Sequence, residues 1–184
     1  MNLIIAQIFG IAVTIYAAIG TQFRSMKAVL VMEIITNLMT ASTYILLGSL
    51  SGMWVCVVAA VQAILLSRLN MQHGNSQEKK RKFIVMVFAL VYVIGSIVVY
   101  ERPVDVFPCI CALIFSFSVC QKDALYYKMI AIFNPLFWIF YDYATGAYTS
   151  ILTRVMLIVL TGIGIVRLMR QRKMRKKKTK NAIV

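Results

Sequence analysis

Histidine and acidic side chains are scarce in this sequence, with one His (His73) and six Asp or Glu in 184 residues. The four cysteines, Cys56, Cys109, Cys111 and Cys120, include no Cys-x-x-Cys pair. Without metal-spaced ligands or an acid/base pair inside an apolar stretch, neither a metal site, a cofactor nor an enzymatic reaction is expected. Charged residues make up only 14% of the chain, against about a quarter in soluble domains. Side chains this apolar cannot cover a water-facing globule. The apolar runs do not alternate with polar residues, which excludes a β-barrel. No basic segment precedes the first run (Met-Asn-Leu-Ile-Ile), so it reads as a retained helix rather than a cleaved signal peptide.

What is present is hydrophobicity, at 61% of residues and a mean hydropathy of +0.81. Crossing a hydrocarbon core takes about 20 mostly apolar residues. Seven stretches meet or approach that length: 3–19, 28–47, 53–66, 83–100, 104–120, 127–143 and 148–168. They predict an all-α integral membrane protein.

The formal charge of +14 is an orientation signal. Eighteen of the twenty Lys and Arg fall in every second connection or in the C-terminal tail, the exceptions being Arg102 and Arg154. Short basic loops stay cytoplasmic. With seven spans this predicts an N-terminus outside and a C-terminus inside. The dense run at 170–180 is read as a topology determinant lying on anionic lipid headgroups, not as a nucleic-acid site. His73 is read as solvated. The cysteines are read as small apolar residues, although Cys56 and Cys109 share a depth at which a disulfide is open.

The second and sixth stretches match one another. Asn37 and Tyr44 recur as Asn134 and Tyr141, a Gly-containing turn follows each pair, and the next stretches close on Arg68 and Arg167. Two triple-helix units in parallel orientation, joined by a single crossing, would produce this pattern. The expected division is a first repeat (1–69), a cytoplasmic loop (70–82), a linker helix (83–100), a second repeat (104–168) and a basic cytoplasmic tail (169–184). One chain then closes a pathway by itself, so an oligomer is open but not required.

That plan resembles the SWEET and PQ-loop superfamily. More closely, the chain resembles the YgjV family of small bacterial inner-membrane proteins over about residues 4–170. The resemblance rests on Leu46-Leu47-Gly48, Trp138, Gly146 and Ile165-Val166-Arg167. It implies a bacterial inner-membrane location and, through the superfamily, movement of a small solute by alternating access. SWEET-type helices bend at prolines, which the second half supplies as Pro108 and Pro135 and the first half lacks. Where that family places a pocket Asn on the third helix of each repeat, this chain has Gln62 and Thr161, a departure that weakens a sugar pocket.

Polar groups in lipid must face the bundle interior, where an ionisable one marks function by default. Glu33, Asn37, Thr40 and Tyr44 follow helical spacing on one face, read either as a cavity stripe or as interhelical hydrogen bonding. Asn134, Trp138 and Tyr141 make the matching face. The substrate-binding candidates are therefore Asn37, Tyr44, Gln62, Asn134, Trp138 and Thr161. The gating candidates are Glu33, Pro108, Pro135, Asp142 and Arg154, with Arg154 expected to snorkel or to pair with Asp142 or Asp105. The sequence thus predicts a small-polar-solute transporter or, alternatively, a membrane scaffold or accessory subunit.

Overall fold

The computed structural model describes residues 2–69, 75–121 and 123–181. His73 and Lys122, and the ends of the expected loop and tail at 70–74 and 182–184, lie outside the described residues. The described chain is almost entirely helical: α1 (Asn2–Gln22), α2 (Met26–Leu46), α3 (Leu50–Leu69), α4 (Asn75–Val98), a 3-10 turn (Pro103–Asp105), α5 (Val106–Val119), α6 (Ala124–Ala131), α7 (Asn134–Thr145) and α8 (Tyr148–Asn181). Four segments are long and apolar enough to cross a membrane: Met26–Leu46, Leu50–Leu69, Glu78–Val98 and Tyr148–Met174. Ile8–Gln22 and Pro103–Val119 are apolar but shorter.

Local chemistry sets the helix ends. Ser25 caps α2 by accepting from the Ala28 N–H at 3.1 Å, and Asp123 caps α6 from the Leu125 N–H at 2.8 Å; each satisfies an orphan donor of the first turn. Gly48 and Gly146 stand at φ +70° and +76°, where a Cβ is disfavoured. Both turns close with the same bonds: the Ser49 N–H donates to the Tyr44 carbonyl at 2.9 Å and the Ala147 N–H to the Asp142 carbonyl at 2.8 Å. This is the Schellman arrangement, which satisfies the last carbonyls of a helix and reverses the chain within a few residues.

Four elements differ from the sequence expectation. The sixth stretch is not continuous but breaks at Ile132–Phe133 into α6 and α7. Pro135 is the cause, because it has no N–H to offer the Ala131 carbonyl and its ring crowds the preceding turn. Pro108, expected at a bend, instead occupies the first turn of α5, where a missing N–H interrupts little. The segment read as the loop 70–82 is helical from Asn75, its Lys and Glu being good helix formers, with Glu78 and Lys82 paired at 3.3 Å one turn apart. Likewise α8 runs beyond residue 168 into the basic tail.

The helices form a ring. α1 packs on α2, α2 on α3, α3 on α5, α5 on α6 and α7, these on α8, and α8 back on α1. Thr14 and Thr153 link α1 to α8 with a 2.5 Å hydroxyl contact. α4 lies outside the ring against α3 and α5, and Phe83, Met86, Leu90, Ile94 and Ile97 leave it exposed. Gly95 admits the Trp54 indole where a side chain would collide. The polarity is inverted relative to a soluble domain: Gln62, Asp105, Lys128, Asp142 and Arg154 are buried while apolar side chains face outward. That is the distribution expected of a protein solvated by lipid.

Gly146→Ala should destabilise the protein by about 1–2 kcal/mol, the cost of a Cβ in the left-handed region. Thermal unfolding in detergent measures it; an unchanged midpoint would contradict the turn geometry.

Candidate functional site

The ring encloses a cavity of about 130 Å³ lined from every helix except α4. One end is shut by a buried network. The Tyr44 hydroxyl donates to Asp142 Oδ1 at 2.5 Å, and Arg154 Nε donates to Asp142 Oδ2 at 3.1 Å. Both carboxylate oxygens are thereby used. Arg154 Nη2 reaches the Tyr44 hydroxyl at 3.5 Å, and its guanidinium lies 4.9 Å from the Trp138 ring centre. Such a cation–π contact gains strength when desolvated. Trp138 stacks on Tyr44 at 5.5 Å and 16°, and Tyr141 meets both rings edge-on at 5.6 and 5.7 Å.

Tyr141 extends the closure to the neighbouring helices. Its hydroxyl shares a 2.7 Å bond with Ser51 Oγ and accepts from the Gly52 N–H at 3.0 Å. Gly52 has to be glycine here, since a Cβ would stand 2.9 Å from both the Tyr44 and Tyr141 rings. Ser51 in turn donates to Asp105 Oδ1 at 2.7 Å. Asp105 Oδ2 accepts from the Glu101 and Arg102 backbone at 3.1 and 2.8 Å. One set of bonds and ring contacts therefore joins α2, α3, α7 and α8 to the start of α5.

Away from that closure a largely apolar wall carries a few polar groups. Glu33 Oε1 accepts from the Tyr127 hydroxyl at 2.7 Å, across the gap between α2 and α6. Asn37 donates to the Glu33 carbonyl at 2.8 Å and approaches Glu33 Oε2 at 3.4 Å. Asn134 donates to the Cys111 carbonyl at 2.7 Å, fixing the first turn of α7 against α5. Lys128, also lining the cavity, donates to the Thr21 and Phe23 carbonyls at 2.6 and 3.1 Å. A cation at the C-terminus of α1 satisfies the last carbonyls and the negative end of the helix dipole. Arg81 does the same for α5 through the Val119 and Gln121 carbonyls.

Among the residues singled out by sequence, Glu33, Asn37, Asn134, Pro135, Trp138, Arg154 and Thr161 line the cavity. Tyr44 and Asp142 lie in the closure instead. Gln62 is elsewhere: its Oε1 accepts from Tyr92 of α4 at 3.0 Å and Ser116 of α5 at 3.1 Å. A buried amide takes the hydroxyls within reach, and here α3 presents Gln62 to α4 and α5 although Val55, two turns earlier, lines the cavity. Of the two partners open to Arg154, the structure uses Asp142; Asp105 is taken by Ser51 and backbone. All four cysteines are free.

Sequence reasoning passed over Tyr127, Lys128, Ser51 and Gly52. Lys128 read as an orientation charge. Its one legible signal is position, a cation a full turn inside an apolar helix that begins at Ala124, after the Asp123 cap. Ser51 and Gly52 carry no such signal, because their partner Tyr141 lies about ninety positions away.

The profile of the bacterial inner membrane protein family Imp-YgjV matches residues 4–172, and the chain belongs to that family. No curated protein and no solved structure matches it.

Removing Arg154 would leave Asp142 buried without its cation. Arg154→Ala should cost about 3–5 kcal/mol of stability, and adding Asp142→Ala should restore part of it. Unfolding of both variants in mixed micelles checks this; a double variant as unstable as the sum of the singles would contradict the pairing.

Proposed function

We propose that this bacterial inner-membrane protein moves a small polar solute across the membrane by alternating access. The observation that carries the reading is the central cavity, whose largely apolar wall carries Glu33, Asn37, Lys128 and Asn134 and which is shut at one end by the Tyr44–Asp142–Arg154 network. A lone buried ion pair is weak support for a stabilising role, since apolar side chains of the same volume often serve as well. A pair joining separate helices across the end of a cavity has the placement of a gate.

We take the fold as two parallel three-helix units around the linker α4, in the manner of the SWEET and PQ-loop superfamily. Several features support this. The left-handed glycine turns at 48 and 146, and the starts of α3 and α8 at Leu50 and Tyr148, repeat in step. The contacts between units also exchange: α1 on α8 corresponds to α5 on α3. Only the second unit has a broken central helix, so Pro135 is the bend about which it rocks, and α2 is the stiffer counterpart. Orientation follows from the basic residues, with the N-terminus outside, the basic tail on the cytoplasmic leaflet and the aromatic–ionic closure toward the outer surface. The cavity then communicates with the cytoplasm past Glu33, Thr21 and Lys128.

The test is flux. Proteoliposomes carrying the protein should equilibrate at least one member of a mixed panel of small polar solutes, and an Asn37→Ala/Asn134→Ala variant should do so at least tenfold more slowly. Arg154→Ala and Asp142→Ala should each disturb flux, and their combination should be non-additive; strict additivity would sink the gate. A folded protein that moves no solute would turn the assignment to a non-transporting scaffold or accessory subunit.

A further inference from the structure

We infer that the cavity takes a small zwitterion, a solute bearing an ammonium and a carboxylate, with Glu33 receiving the ammonium and Arg154 the carboxylate. The inference rests on the cavity being a solute site and gives its substrate class.

The charges in and around the cavity are not equivalent. Asp142 has both oxygens occupied by Tyr44 and Arg154. The Lys128 ammonium is held by two backbone carbonyls at the end of α1. Glu33 is different: it lines the cavity and makes no ion pair among the described residues. Its contacts are a phenol and an amide, which orient a carboxylate without neutralising it. Arg154 also lines the cavity, and its hydrogen bonds use only Nε and Nη2. The planar guanidinium has five donors in a fork suited to a second carboxylate, and Nη1 has no hydrogen-bond partner among the described residues.

The two groups stand at different depths. Glu33 and Tyr44 are eleven residues apart on α2, about 16 Å of helix rise. Helical side chains lean back toward the N-terminus at both positions, and the longer Tyr44 side chain brings its hydroxyl, with Arg154 beside it, somewhat nearer Glu33 than that. The cavity thus has a carboxylate without an ion pair among the described residues toward one end, and toward the other a guanidinium that is paired with Asp142 but keeps a free donor edge. A net-neutral solute with separated charges uses both, its ammonium on the carboxylate and its carboxylate on the donor edge, whereas an anion or a cation alone uses only one. Size points the same way: a buried cavity of about 150 Å³ admits a benzene-sized molecule, so 130 Å³ suits about six heavy atoms. Alanine has that size, and glucose is twice as large.

The experiment compares alanine with its two fragments. Calorimetric titration of the full chain in detergent should show alanine binding at least tenfold tighter than propionate, which lacks the ammonium, and than ethylamine, which lacks the carboxylate. Glu33→Gln keeps the side-chain shape and should reduce alanine affinity to that of propionate. Either fragment matching alanine, an unchanged affinity in Glu33→Gln, or binding of 1,2-propanediol alone would overturn the inference. Parallel flux measurements separate it from the transport reading. Alanine bound but not moved would leave the zwitterion site standing and remove the transporter; flux of uncharged solutes only would do the reverse.

Discussion

An ionised carboxylate surrounded by apolar helices persists only when its lone pairs are occupied, and Asp142 meets that condition through two other helices. Tyr44 supplies one donor from α2 and Arg154 the other from α8. Losing either would leave a desolvated polar group whose cost exceeds the value of the bond itself. The relative positions of α2, α7 and α8 are therefore coupled at one point. The aromatic rings of Tyr44, Trp138 and Tyr141 fill the space around it, keep water out and strengthen the electrostatics they enclose.

This constraint acts at one end of the ring only. At the other, helix ends are held by cations on carbonyls, Lys128 for α1 and Arg81 for α5. Between the two lies the broken segment α6–α7. In the proposed mechanism, the proline break between the ionic network at one end and the capping bonds at the other is the axis for motion. The cavity lies beside that break, and the proposed solute pathway rests on this geometry.

Much of the fold was legible in the sequence because membrane helices obey a coarse rule, about 20 apolar residues without charge. The turns at Gly48 and Gly146 were legible for a similar reason: few residues besides glycine accept the left-handed backbone. The break before Pro135 was half legible. Proline announces a disturbance, but Pro108 shows that the same residue in a first turn disturbs nothing. The helical continuation of α4 and α8 into charged sequence was obscured because hydropathy marks where a helix enters lipid, not where it ends.

The candidate site divides in the same way. Polar residues inside apolar runs identify themselves, so Glu33, Asn37, Asn134, Trp138 and Arg154 could be named from sequence alone, and helical spacing placed several on common faces. Partners could not be chosen, because they depend on distances between segments far apart in the chain. Asp142 and Asp105 were both open to Arg154 until the packing of α7 on α8 brought the first carboxylate to the guanidinium and left the other to Ser51. Gln62 looked like a pocket residue until α4 and α5 supplied two hydroxyls for its amide. Lys128 looked like a surface charge until the end of α1 arrived beside it. Sequence alone determined the apolar character of the segments and which few polar groups had to be buried, because the hydrophobic effect and backbone sterics act on each segment locally. Only the tertiary structure decided which of those groups satisfy one another and which are left facing a cavity, because a hydrogen bond or ion pair exists only where two segments meet within about 3 Å.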